Sequence, residues 1–185
     1  MIITKKTILK SFLIPVFFLS FLSPRNKKVW VFGSTGYQFR DNSKYLFLYV
    51  VNNCPEITAV WISRNKTLVA KLKAEGYKAE YYMSLAGIKY LLKAYLYISE
   101  AGLAITNFWF SGGAMNVNLW HGIPIKKIGI GNKRFFFPKE KTLKNISEWF
   151  WFRVISIVER NPDFLLVTSQ FYRSIMREAF AVEDK

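Results

Sequence analysis

The chain has a single histidine, a single cysteine and only twelve acidic residues among 185. Cys54 has no second cysteine with which to close an internal disulfide, so the chain suits a reducing compartment and supplies neither a cysteine metal cluster nor a redox pair. The aspartates are Asp41, Asp163 and Asp184, and the nine glutamates are scattered rather than paired. Two-carboxylate and two-metal mechanisms both need such groups to converge, and neither is favoured. Long apolar runs are lacking too. The longest, Ile8 to Leu22, is interrupted by Pro15 and rises only about 22 Å as a helix, short of the roughly 30 Å hydrocarbon core of a bilayer. It is followed by the polar, basic "SFLSPRNKK" rather than by a small-residue cleavage site, which argues against a secretory leader.

What the chain does have is hydrophobic residues at 51%, aromatics at 18% and a formal charge of +15. That apolar content suffices for a full core, and the charge directs the surface toward phosphates on a lipid, a polymer or a nucleic acid. Seven basic residues precede the first acid, Asp41. Residues 1–27 read as a basic and apolar segment associating with an anionic inner membrane surface, and 28–185 as the folded domain. The expected location is peripheral, on the cytoplasmic side of the cell membrane.

From Lys28 onward, short β-rich runs alternate with longer helical stretches. Strands are expected at Val29 to Phe32, Thr58 to Ile62, Lys78 to Tyr82, Leu103 to Thr106, Asn116 to Trp120 and Phe164 to Thr168. Helices are expected at Asp41 to Asn52, Lys66 to Glu75, Leu85 to Glu100, Ile146 to Arg160 and Gln170 to Phe180. Asn65 and Ser84 stand as N-caps, and Gly76 and Gly102 as stops. This rhythm implies an α/β fold with a doubly wound, mainly parallel sheet.

Ligands in such sheets lie beyond the carboxyl ends of the strands. The residues found there are "GSTG" at Gly33 to Gly36, then Ser63 and Arg64, Asn107, His121 with Gly122, and Ser169. No G-x-G-x-x-G can be laid on "VFGSTGYQFRDN" and no acid closes the second strand, which argues against a nicotinamide cofactor. The same glycines still let backbone N–H groups approach a phosphate, while Asp41 and Asn42 read as helix caps. No metal site and no cofactor is expected.

Three blocks resemble the CDP-glycerol glycerophosphotransferases, the teichoic acid primases and polymerases. "NLWHGIPIKKIG", Asn118 to Gly129, resembles that family's WHG-x-P-x-KK-x-G signature. "VWVFGSTGYQFRDNSKYLFLYV" is similar to its opening strand and helix, and "ERNPDFLLVTSQFYRSIMREAF" to the segment closing its N-terminal half. The resemblance implies the Rossmann-like N-terminal domain of a GT-B glycosyltransferase-type fold. The C-terminal domain, which in that family holds most of the nucleotide donor, is expected to be absent, and this chain by itself is expected to turn over little or nothing.

The implied reaction is attack by a hydroxyl of a lipid-linked or capsular polyol-phosphate acceptor on the β-phosphorus of CDP-glycerol, or of a related CDP-polyol such as CDP-ribitol, with release of CMP. A hydroxyl needs a base within hydrogen-bond reach, and imidazole suits that task. His121 is the catalytic candidate. Ser34, Gly36, Asn107, Trp120, Gly122, Pro124, Lys126, Lys127 and Ser169 are the substrate-binding candidates, the two lysines offsetting phosphate charge. A separately encoded C-terminal domain is a further expected partner.

The aromatic clusters "NFWF", "RFFF" and "EWFWF" are expected first at a membrane surface, then in the core, and last against nucleic-acid bases. The alternative to an enzyme is a non-catalytic basic module, a degenerate half enzyme binding membrane or phosphate polymer. A second domain encoded in frame or alongside, with its own histidine, separates the two.

Overall fold

The structure is a computed structural model that describes residues 14–102, 106–122 and 162–180. Among them six strands form one sheet: β1 (Asn26–Phe32), β2 (Thr58–Ser63), β3 (Ala79–Tyr81), β4 (Ala94–Ser99), β5 (Met115–Asn118) and β6 (Phe164–Leu165). Their spatial order is β3-β2-β1-β4-β5-β6 and every pairing is parallel. The chain winds outward from β1 to β3, then returns across the sheet to β4 and winds the other way. The winding reverses between β1 and β4, where a doubly wound sheet opens its crevice.

Strand periodicity builds two cores. Val29, Val31, Val60, Ile62 and Tyr97 pack on one face with Phe17, Leu91 and Phe108. Phe32, Ala59, Trp61 and Ile98 alternate onto the other with Phe47, Val50, Val69 and Leu72. Both faces are therefore covered, as parallel sheets require. The first core lies under α1 (Ile14–Leu19) and α4 (Leu85–Lys93), the second under α2 (Asp41–Asn53) and α3 (Lys66–Ala74). A fifth helix, α5 (Gln170–Phe180), follows β6 and buries Met176.

Asn65 and Ser84 cap α3 and α4 as expected, their side chains accepting from the N–H groups of Leu68 and Gly87. One helix is shorter than its sequence suggests. The stretch Leu85 to Glu100, expected as a single helix, leaves the helical conformation at Ala94 (φ −64°, ψ 131°) and continues directly as β4. The fourth strand of the described residues is thus Ala94–Ser99, and three of the four residues of the strand expected at Leu103 to Thr106 lie outside the described residues. Thr106 is described, and it is buried outside any strand. The helix expected at Ile146 to Arg160 and the clusters "RFFF" and "EWFWF" lie outside the described residues.

The start of the described chain is fastened to the amino-terminal end of the sheet. Phe17 is buried and stacks on Phe108 with ring centroids 4.4 Å apart. The Ser20 hydroxyl accepts from the Gly112 N–H at 2.8 Å. Arg25 donates to the carbonyls of Leu91 at 2.7 Å, Phe110 at 2.8 Å, Ser20 at 3.1 Å and Ala94 at 3.2 Å, and also to that of Gly112. Tyr97 shares two of these acceptors, donating to the carbonyls of Leu91 and Phe110, and burial pushes its hydroxyl pKa far above the ordinary value. Phe108 of the "NFWF" cluster consequently belongs to the core rather than to a membrane surface, with Trp109 and Phe110 packed against it.

Candidate functional site

The carboxyl ends of β1, β4 and β5 meet around a buried acid. Glu100, immediately after β4, is fully buried. Its Oε1 accepts from the Ser34 hydroxyl at 2.8 Å and the Thr35 N–H at 2.5 Å, and its Oε2 from the Ser43 hydroxyl at 2.5 Å. Burial alone would push this carboxyl pKa up, but the donors from Ser43, Thr35 and Ser34 outweigh it and hold the group below its ordinary value of 4.5. One carboxylate thereby ties the β1 loop and the start of α2 to the end of β4.

The loop after β5 is fixed just as closely. The Leu119 N–H donates to the Ser99 carbonyl at 2.8 Å, and the Trp120 N–H to Asn118 Oδ1 at 2.9 Å. From α2, the Asn42 amide donates to the Trp120 carbonyl at 2.8 Å. Under these restraints Trp120 adopts a φ of 53°, and Gly122 one of 149°, which suits a residue without a Cβ. Tyr37 and Asp41 are the other described non-glycine residues at positive φ. All three follow the carboxyl ends of the strands or open the helix beside them, where backbone strain commonly accompanies a site.

His121 stands at the end of this loop, exposed, its ring 4.5 Å from that of Trp120. Its Nδ1 is 3.3 Å from the backbone carbonyl of Glu100. A carbonyl only accepts, so in the neutral imidazole this contact favours the tautomer with the proton on Nδ1 and the lone pair on Nε2. The imidazole opens on a pocket of about 260 Å³ lined by Asn42, Trp120, Gly122, Thr168, Tyr172 and Met176 among others.

The structure brings Trp120, His121 and Gly122 together there. Ser34 lies at the same edge, but it is buried and its hydroxyl is committed to Glu100. Gly36 is exposed in the turn after β1 with φ 66°. Asn107 is buried and acts locally, its Oδ1 accepting from the Trp109 N–H while its amide faces Met83 Sδ at 3.8 Å. Ser169 is exposed beside the pocket residue Thr168. Pro124, Lys126 and Lys127 lie outside the described residues.

Two residues take roles their sequence context conceals. Asn42, expected as a helix cap, holds the histidine loop from across the crevice, and the cap position of α2 is occupied by Arg40 without a side-chain bond. Asp41 pairs with Arg40 at 3.2 Å. Glu100 was hidden at the end of an expected helix. The alternation in "AYLYISE" of small, aromatic and β-branched residues before an acid is the feature that marks a strand ending at a site.

Among the described residues no group of three or more His, Cys, Asp or Glu side chains is placed to hold a metal ion. No helix among them is long and apolar enough to cross a membrane. A family model described as CDP-glycerol:poly(glycerophosphate) glycerophosphotransferase matches residues 15–185. Among solved structures, the chain is similar to the wall teichoic acid polymerase TagF. A His-to-Asn variant of it, soaked with CDPG for 15 minutes, superposes with a TM-score of 0.61 at 18% identity, covering 96% of this chain and 44% of that one. A His-to-Ala variant gives a TM-score of 0.63 at 19% identity, with 96% and 43% covered. The chain thus spans less than half the length of these polymerase structures, and at such identities the likeness establishes the fold. No curated protein matches the chain.

Proposed function

The chain belongs to the CDP-glycerol:poly(glycerophosphate) glycerophosphotransferase family, and from that premise we propose that it provides the acceptor-side half of a transferase. The reaction moves glycerol phosphate, or the phosphate of a related polyol, from a CDP-linked donor to a polyol-phosphate acceptor. The acceptor hydroxyl forms a new bond to the β-phosphorus of the donor as the bond to the departing CMP breaks. The hydroxyl proton passes to His121 Nε2. The observation that carries this reading is the contact between His121 Nδ1 and the Glu100 carbonyl, which in the neutral imidazole turns the lone pair of Nε2 toward a substrate proton. Lys126 and Lys127 follow in the same motif and are assigned to offset phosphate charge.

A volume of about 260 Å³ suits the reacting polyol end rather than a whole nucleotide, since pockets for drug-sized ligands run from roughly 300 to 1,000 Å³. The test is transfer of labelled glycerol phosphate from CDP-glycerol to a glycerol phosphate oligomer. The expected result is little transfer by the chain alone, and acceptor labelling matched by CMP release when residues 1–185 are fused to the remaining portion of TagF. Label released to water instead of acceptor, or no CMP from a folded fusion, would refute the reading.

We also propose that the same chain rests on an anionic membrane surface. Phe18, Leu19, Phe21 and Leu22 are exposed together ahead of the exposed Lys27 and Lys28, a combination suited to an interface of acyl chains and acidic headgroups. In vesicle flotation with phosphatidylglycerol the protein is expected to rise with the lipid, and Leu22→Asp to stay largely at the bottom. Equal flotation of the two proteins rules this surface out.

A further inference from the structure

Arg64 follows β2 on the same carboxyl edge as His121. Its Cζ lies 4.8 Å from the centre of the Tyr37 ring and 4.6 Å from that of Tyr82. Its backbone is fixed on both sides by one buried hydroxyl: Ser63 Oγ donates to the Tyr37 carbonyl at 2.6 Å and accepts from the Asn65 N–H at 3.1 Å. Tyr37 holds a φ of 58° in this arrangement. Two aromatic faces and a locked loop thus orient an exposed guanidinium, yet among the described residues no hydrogen bond or ion pair uses its N–H donors. Beside it, the exposed Lys66 lies with Nζ 5.0 Å over the Tyr81 ring, also without an ion pair.

A guanidinium placed over two aromatic rings keeps its N–H donors for another partner, and their planar fork recognises two oxygens of a phosphate. Its place in the sheet defines the ligand further. The strands run β2, β1, β4, β5 from Arg64 to His121, and three inter-strand spacings amount to about 15 Å. One phosphate cannot reach both residues.

We infer that Arg64, with Lys66 beside it, forms a second anion subsite that holds an internal phosphodiester of the acceptor chain while the chain's end lies at His121. The inference rests on the polyol-phosphate acceptor proposed above and adds to it a selection for acceptor length.

Equilibrium binding of the full chain tests it at near-physiological salt, with a long synthetic glycerol phosphate oligomer, the glycerol phosphate monomer and inorganic polyphosphate as probes. Arg64→Ala is expected to weaken oligomer binding about tenfold and to leave monomer binding unchanged. Lys78→Ala, which removes an exposed charge just before β3, at the opposite end of the strands, is expected to change oligomer binding by less than about twofold. Arg64→Lys is expected to fall between Arg64→Ala and the wild type. Equal oligomer affinity in Arg64→Ala and wild type overturns the subsite, and so does an equal loss in Lys78→Ala, which reduces the effect to net charge. Loss of binding to phosphatidylglycerol vesicles with oligomer binding intact overturns it in favour of a lipid headgroup. If wild type binds polyphosphate through Arg64 but not the oligomer, the anion subsite stands and the acceptor assignment fails.

Discussion

His121→Ala, in the fusion that carries out transfer, is expected to lower CMP release by about 10²- to 10⁴-fold, the range that positioned general bases contribute. The loss should appear in kcat, because the proton moves as the new bond to phosphorus forms and not when the substrates bind. The fold should survive. The ring is exposed, and the loop before it is held by Asn42, Asn118 and the Ser99 carbonyl rather than by the imidazole. Thermal melting of the variant should therefore overlay that of the wild type. Undiminished CMP release in the alanine variant removes His121 from the chemistry.

Glu100→Leu is the substitution with the largest expected effect on stability, roughly 3–5 kcal/mol. The leucine would leave the Ser34 and Ser43 hydroxyls and the Thr35 N–H without their acceptor at a fully buried position. Glu100→Gln keeps the shape and part of the acceptor capacity and should lose clearly less. The wild type carries a matching pH dependence. Because the folded carboxyl pKa lies below the ordinary 4.5, its contribution is fully present above that value and is lost as the pH falls through the lower, folded one. Denaturant titrations of the three proteins across that acid window read this out. Parallel stability–pH curves for wild type and Glu100→Gln would show that the carboxylate contributes nothing beyond its shape.

Much of this arrangement is legible before folding. "VWVF" and "TAVWI" are continuous apolar runs, as strands covered on both faces must be, and the helix between them supplies the crossover that parallel pairing needs. The strand-end rule then puts His121 at the crevice. What escaped detection is the boundary between α4 and β4. No glycine or proline punctuates "LLKAYLYIS", so no breaker separates helix from strand; the aromatic and β-branched residues of "YLYI" favour the strand, and pairing with β1 and β5 fixes where it begins. Glu100 was lost with that boundary. Asn42 escaped for a different reason: near a helix start its amide has a local use and a distant one, and only the folded proximity of Trp120 selects between them.

Arg25 binds the carbonyls of Ala94 and Gly112, which stand at and before the starts of β4 and β5, whereas His121 follows the far end of β5. β4, six residues long, rises about 20 Å between these poles. On the membrane placement and acceptor proposed above, an acceptor tethered to lipid beside Leu22 would have to climb the height of the sheet before its terminal hydroxyl met the imidazole. On that proposal the fold would act as a gauge of minimum reach, and a primer shorter than the gauge would stay out of range however tightly its tether were held.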